Sequence, residues 1–480
     1  MVESFRNSLP PLTKILLYLV VAIGLLFFLQ SLFGGGLGPG LAIAVLPLVC
    51  FCLFFLIQKP VWAFFFLFVV NYLIMGIGRY IQLPIPAGIM VDICILFAFL
   101  SIAFRVFSEK NSRDEVYNPL FFLSLTWLIY CIIEIVNPES NILNWATSVR
   151  SIGVYFFLFV LLTTLLCKRY KLLKQFILLW SILVLLAAIK GIGQKMFGLD
   201  TPEKIWLYTI GAHTHLIYSG IRYFSFFTDA ANFGCHMGLG MVVFSIIAIY
   251  TKSIPLKVYY VIVAIAACYG MMISGTRAAM AVPFVGLACF IFVIRQWKWI
   301  ILGGILFVAA FSFFNFTTIG EGNTEIRRMR TAFIGKKDAS FNVRVENQRK
   351  MKQFMNHYPF GLGIGSAKHA EEGDLLHGLP TDTSFVYVWV ETGIVGLILY
   401  LGILLSVLVL GMYYVMVKLK HPEIRGITCA LTAGLAGMLV AGYGNEVLHQ
   451  FPTGPTLYIC MAFIMLSPRF DKELMDGKHA

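Results

Sequence analysis

Arg277–Phe314 reads RAAMAVPFVGLACFIFVIRQWKWIILGGILFVAAFSFF, two apolar runs parted by a short basic loop with Arg295 and Lys298. Runs of roughly 17–20 apolar residues, each able to cross about 30 Å of hydrocarbon as a helix, recur along the chain. They are continuous rather than alternating, which excludes the roughly ten-residue strands of a membrane barrel. With 59% hydrophobic and 13% charged residues, the chain is no soluble globule, where about 25% of residues carry charge. The reading is an all-α polytopic membrane protein, one integral domain over 1–480, with the lipid bilayer as its first partner.

Working outward, about fourteen transmembrane helices are expected. They fall near 14–33, 37–57, 61–78, 88–106, 118–136, 147–167, 172–190, 231–250, 257–273, 277–294, 299–314, 385–417, 424–443 and 455–467. The run from Ile15 to Phe33 follows a short basic start, as in a signal peptide. Its length and the glycine-rich Gly34–Gly40 that follows, with no small-x-small cleavage site, favour a retained span.

The short loops alternate in charge. One set carries Lys59; Arg105, Lys110 and Arg113; Lys168, Arg169, Lys171 and Lys174; Lys252 and Lys257; Arg295 and Lys298; Lys418, Lys420 and Arg425. Both termini belong to that set, and the opposite set holds little more than Arg79, Arg150 and Arg277. Basic loops stay inside, so both termini are expected in the cytoplasm and the long segments 191–230 and 315–383 outside. The net charge of +13 then reflects membrane orientation, and nucleic acid is not a partner. The ten cysteines sit in or beside apolar runs without a CxxC, as small buried hydrophobes outside any disulfide framework.

Asp92, Glu134, Arg150, Lys190, Arg277, Glu391 and Glu446 all fall near the outer ends of spans in this topology. Charge beside hydrocarbon is costly unless it faces a polar cavity, and the alternative is snorkelling at helix ends. Their shared side is read as a polar site at the outer leaflet. A carrier would place such groups at mid-membrane.

Asn315–Thr383 is the longest polar segment. It holds Arg327, Arg328 and Arg330, then Arg344 and Arg349, then the glycine run Pro359–Gly365. That run is not a nucleotide-binding GxGxxG; its amides could form an anion nest, but a flexible turn after Pro359 is the plainer reading. Ser274-Gly275-Thr276-Arg277 makes a tight outer turn, and a guanidinium there forks onto phosphate oxygens and suits a diphosphate. Arg222 and Asp229 can pair with one another. His213 and His215 have a metal-like spacing without supporting ligands and read as a surface pair. His357, His369 and His377 read as loop histidines. No Walker loop, Ser-His-Asp order or zinc spacing occurs, so no metal or other cofactor is implied.

Together, Arg222-x-Phe-Ser-Phe-Phe-x-Asp229, Ser-Gly-Thr-Arg277, Asn342-x-Arg344, Pro359–Gly365 and Ser384-Phe…Glu391-Thr-Gly-Ile-Val-Gly396 resemble the bacterial O-antigen ligase and polymerase family. The likeness covers about Arg222 to Leu401. It implies a metal-independent glycosyltransferase of the bacterial inner membrane, its site facing the periplasm. Its partners would be a polyprenyl-diphosphate-linked oligosaccharide, an acceptor glycan and a chain-length regulator protein. It also implies arginines that hold the diphosphate and a large periplasmic loop, 315–383, that closes the site; 191–230 would be a second periplasmic loop.

The ligases carry His-Asn where this chain has Asp382-Thr383 before Ser384. A histidine base does not carry over, which tilts the reading toward a polymerase joining repeat units. Arg277 and Arg344, with Arg222, would bind the diphosphate, and Asp382 or His377 would deprotonate the acceptor hydroxyl. Glu391 would support Asp382 or an arginine. Asp229, Arg327 and Arg328 would contact substrate, and Phe341 and Tyr358 would hold sugars. A ligase and a lipid-linked glycan flippase are the alternatives.

Overall fold

The computed structural model describes residues 58–81, 86–108, 118–217, 220–295, 297–320, 322, 324–330 and 339–477. The expected spans near 14–33 and 37–57 lie outside the described residues, and every later one falls on a helix. The first helices are α1 (Pro60–Tyr80), α2 (Ala87–Ser108), α3 (Pro119–Val136), α4 (Ile142–Leu166) and α5 (Tyr170–Phe197). Next come α6 (201–215), α7 (Ala230–Tyr250), α8 (Ile254–Ile273), α9 (Arg277–Ile294) and α10 (Trp297–Phe316). The last are α11 (Thr324–Arg330), α12 (Ala339–Met355), α13 (Ser384–Lys418), α14 (Pro422–Gly444) and α15 (Thr453–Met475). Among the described residues nine helices are long and apolar enough to cross a membrane.

The chain divides into two compact units, 1–64 with 94–111, and 65–93 with 112–480. In the first, the described parts are the start of α1 and most of α2, where the Ser101 hydroxyl donates back to the Phe97 carbonyl at 2.9 Å. The second unit holds the other described helices.

Local chemistry sets where its helices begin. Asn118 accepts from the Phe121 amide ahead of Pro119, Asn141 from Leu143 and Asn144, Asp229 from Ala231 and Asn232, and Thr383 from Val386. Each satisfies amides that the first turn leaves without helical partners. α7 and α14 form the centre. α7 packs against α5, α8, α9 and α14, and α14 also meets α13 and α15. Small residues allow this: a Cβ on Gly437 would lie 2.4 Å from the Val282 carbonyl oxygen, so α9 and α14 meet backbone to backbone. Away from the centre, Val261, Ile262 and Ile265 of α8 and Ile398, Leu405 and Val409 of α13 are exposed. Such continuous apolar faces suit lipid and not water.

α13 is the longest helix. At 35 residues it would run about 50 Å if straight. It is broken at Gly393, where φ is 69° and ψ −172°.

The described parts of the two long segments hold regular structure. In 191–230, α5 continues to Phe197, an Asp200–Glu203 capping box starts α6, and Leu216–Ile217 pairs antiparallel with Gly220–Ile221. In 315–383, α11 and α12 are helices, and Met351, Met355, Leu362, Leu376, Val386 and Val390 form an apolar cluster that seats the segment on the start of α13.

The glycine run is neither a flexible turn nor an anion nest. Gly361–Gly365 is buried, and Gly361, Gly363 and Gly365 have φ of 84°, 83° and 98°. Leu362 N–H donates to the Val390 carbonyl at 2.9 Å and Val395 N–H to Pro359 at 3.3 Å. A Cβ on Gly361 would lie 2.5 Å from the Gly393 nitrogen. The run plugs the break in α13.

Candidate functional site

The helix ends that carry these two segments gather at one end of the bundle, where the loop after Ile221 meets the turn between α8 and α9. Arg79 pins that loop from α1. Its guanidinium donates to the Ser225 carbonyl at 2.6 Å and to Phe227, and lies 4.1 Å from the Trp206 ring centre and 4.4 Å from that of Phe224. Arg222 then reaches across. Its Nε donates to the Ser274 carbonyl at 3.3 Å, Nη1 to the Thr214 carbonyl at 3.0 Å and Nη2 to Thr276 Oγ1 at 2.7 Å. The Thr276 hydroxyl in turn donates to the Ala230 carbonyl at 2.9 Å. Arg222 thus braces the Ser274–Arg277 turn and holds it against the start of α7.

Arg277 follows that turn, half-buried, as the first residue of α9. Gly275, at φ 59°, has no side chain to keep Arg328 away: a Cβ there would stand 3.2 Å from Arg328 Cδ. Arg328 therefore packs on the turn, whereas Arg327 is exposed. Arg330 closes the end of α10, donating to the Ile319 carbonyl at 2.6 Å and Thr317 Oγ1 at 3.2 Å.

From α12, Arg344 Nη2 donates to Asn445 Oδ1 at 3.2 Å and Asn347 Nδ2 to Asp382 Oδ2 at 3.4 Å. Asn445 opens the 445–452 loop between α14 and α15, which Ser384 organises. The Ser384 hydroxyl donates to the Asn445 carbonyl at 3.1 Å and accepts the amides of Val447 at 2.9 Å and Leu448 at 3.1 Å. On its other side the loop reaches α7, through Asn232 Nδ2 to the Phe451 carbonyl at 2.6 Å and Thr228 Oγ1 to Gln450 Oε1 at 3.0 Å.

Burial and neighbouring charges act on these groups together. Burial lowers the Arg222 pKa, the Asp229 carboxylate opposes this, and the Arg344 and Arg277 guanidiniums lower it further. Burial raises that of Asp382, against the pull of Arg344 and the Asn347 hydrogen bond. Glu446 is pushed up to about 7 by burial, opposed by Lys368 and reinforced by Asp229 and Asp382. Lys368 Nζ stands 3.9 Å from Glu446 Oε1 and 4.9 Å from the Tyr387 ring centre. Arg222, Arg277, Arg344, Asp229, Asp382 and Glu446 form one electrostatic cluster.

Several expected groups lie elsewhere. His377 is exposed, and its amide donates to the Asp374 carbonyl at 3.0 Å in a backbone turn. Glu391 is fully buried under the glycine run, where its Oε1 accepts the Ala367 amide at 3.3 Å, so it holds the segment rather than Asp382 or an arginine. Tyr358 packs on the Met351 cluster, and the Phe341 side chain lies outside the described residues. His215 is buried, not a surface residue. Its Nε2 accepts the Ala230 amide at 3.1 Å, Nδ1 is 2.9 Å from the Gly211 carbonyl, and burial lowers its pKa to about 4.

The outward charges do not share one site. Asp92 pairs with Arg150 at 2.5 Å, Glu134 with the Asn137 amide at 2.9 Å and Lys190 with Glu203 at 2.8 Å, while Arg277 and Glu446 join the cluster. Sequence reading missed Asn445, Lys368 and Asn347; Glu446 was noticed only as a charge near a span. No group of three or more metal-ligand side chains occurs among the described residues. No curated protein matches the chain. Residues 261–401, from within α8 through Arg277, Arg344 and Asp382 into α13, match the family model described as O-antigen ligase, and this part of the chain is similar to that family.

Proposed function

We propose that the chain is a glycan polymerase of the bacterial inner membrane, with the arginine cluster at the periplasmic face. It would transfer glycan from a polyprenyl-diphosphate-linked donor to an acceptor sugar hydroxyl. The observation that carries this reading is the convergence of Arg277 and Arg344 beside the braced Arg222 and the half-buried Asp382. Three neighbouring guanidiniums suit the negatively charged terminal oxygens of a leaving diphosphate better than a neutral sugar.

In this reading Arg277 and Arg344 bind the diphosphate and Arg222 fixes the turn that carries Arg277. The acceptor oxygen forms its bond to the donor's anomeric carbon as the bond to diphosphate breaks. The acceptor proton passes to Asp382, whose burial makes it a stronger base than a solvated carboxylate, and polyprenyl diphosphate departs. A groove of about 720 Å3 between α7 and α8 supports a lipid-linked donor. Met241, Ile249, Val261 and Ile265 line it, and it reaches Met272, two residues before Ser274.

Arg277→Ala and Arg344→Ala should each lower polymer output by at least about 10²-fold, leaving single repeat units on the acceptor. Full-length polymer from either variant at normal protein levels would remove that arginine from the diphosphate site. The family description favours one second reading, a ligase that moves whole glycan to a lipid acceptor. Loss of a ligase leaves long polymer on its polyprenyl carrier, so gel profiles of carrier-linked and lipid-linked glycan separate the two.

A further inference from the structure

At the opposite end of α8 lies a second concavity, of about 540 Å3, lined by Tyr170, Lys171, Lys174, Leu178, Leu256, Tyr260, Glu423 and Glu473 among others. That volume is within the usual range of ligand sites, about 300–1,000 Å3. Its charges are placed in pairs. Lys171 and Lys174 share one face of the first turn of α5, three residues apart. Glu423 opens α14 and Glu473 closes α15. Lys174 Nζ is 3.1 Å from Glu423 Oε1 and 5.7 Å from the Tyr170 ring centre. Glu473 Oε2 accepts the Tyr170 amide at 2.8 Å. Lys171 is exposed and has no ion pair among the described residues.

Two ammonium groups and two carboxylates leave the pocket near neutral, so an anion would meet as much repulsion as attraction. A zwitterion meets neither penalty. A phosphate can accept from Lys171 and Lys174, while a primary ammonium donates to Glu473 and Glu423 beside the tyrosine faces. Leu178, exposed, and Leu256 continue the wall in apolar material along α5 and α8, where an acyl chain and not water would follow. We propose that this pocket binds the headgroup of a phosphatidylethanolamine-type lipid, a binding site separate from the arginine cluster.

The test is native mass spectrometry of delipidated full-length protein titrated with phosphatidylethanolamine, phosphatidylcholine or phosphatidylglycerol of matched acyl chains. Phosphatidylethanolamine should bind at least about tenfold more tightly than either, the worth of one charge-assisted contact. Trimethylation blocks donation to the carboxylates, and phosphatidylglycerol lacks the cation. Glu473→Gln should abolish the preference, whereas Lys171→Ala should weaken binding of all three lipids alike. Neither should unfold the protein, since Lys171 is exposed and glutamine still accepts the Tyr170 amide. Equal affinity for the three lipids, a preference that survives Glu473→Gln, or unchanged affinities in Lys171→Ala would overturn the proposal. So would glycerophosphoethanolamine competing as well as the intact lipid, which would make the ligand a soluble headgroup. The readout is binding alone, so it stands apart from glycan transfer.

Discussion

Arg222 engages Ser274, Thr214 and Thr276 with three different nitrogens, a geometry that a single ammonium cannot copy. Arg222→Lys keeps the charge but should lower stability by about 1–3 kcal/mol, read as a fall in thermal midpoint in detergent. Sequence pointed to this residue and could not say which neighbours its donors reach, because Ser274 and Thr276 lie about fifty residues away in the chain. Glu446 makes a complementary prediction. Its pKa is raised from 4.5 to about 7, so between those values the folded chain holds a proton that the unfolded chain has lost. Its contribution to stability therefore falls as pH rises from about 4.5 to 7 and is flat above. Glu446→Gln should gain on the parent across that window, by at most about 3 kcal/mol, in midpoints followed from pH 4 to 8.

At the scale of elements, the glycine run and the break in α13 are one feature made by two distant pieces of chain. Gly361 and Gly393 both have positive φ and sit too close for either to carry a side chain. Gly361→Ala and Gly393→Ala should each cost about 2 kcal/mol or more, with the double variant costing less than the sum because both break one contact. Faster proteolysis of 356–383 in both single variants is the check. The run was misread as a turn because its partner lies thirty residues on, inside what reads as an unbroken apolar span. The nine apolar helices long enough to cross a membrane among the described residues were legible, since a continuous apolar run has few alternatives to a membrane helix. The 445–452 loop was not: its grip on the site is through the Asn445 carbonyl, two amides and one short side chain, which leave little mark in composition.

Across the second unit, α7 and α14 make a packed centre, α8 and α13 carry exposed apolar strips, and the polar groups described above sit towards two opposite ends of α8. The arginine cluster occupies one end and the paired lysines and glutamates the other. What each end holds was not legible in the charge of the loops, because side-chain partners come from helices far apart in sequence. One feature also sets an order of events. Arg344 rests on Asn445, and the 445–448 turn is tied by Ser384. During synthesis the Arg344–Asn445 hydrogen bond cannot form until α14 and the residue after it have emerged. The proposed site is therefore completed among the last steps of biogenesis, and a ribosome stalled before Asn445 would leave it without Asn445 and Glu446.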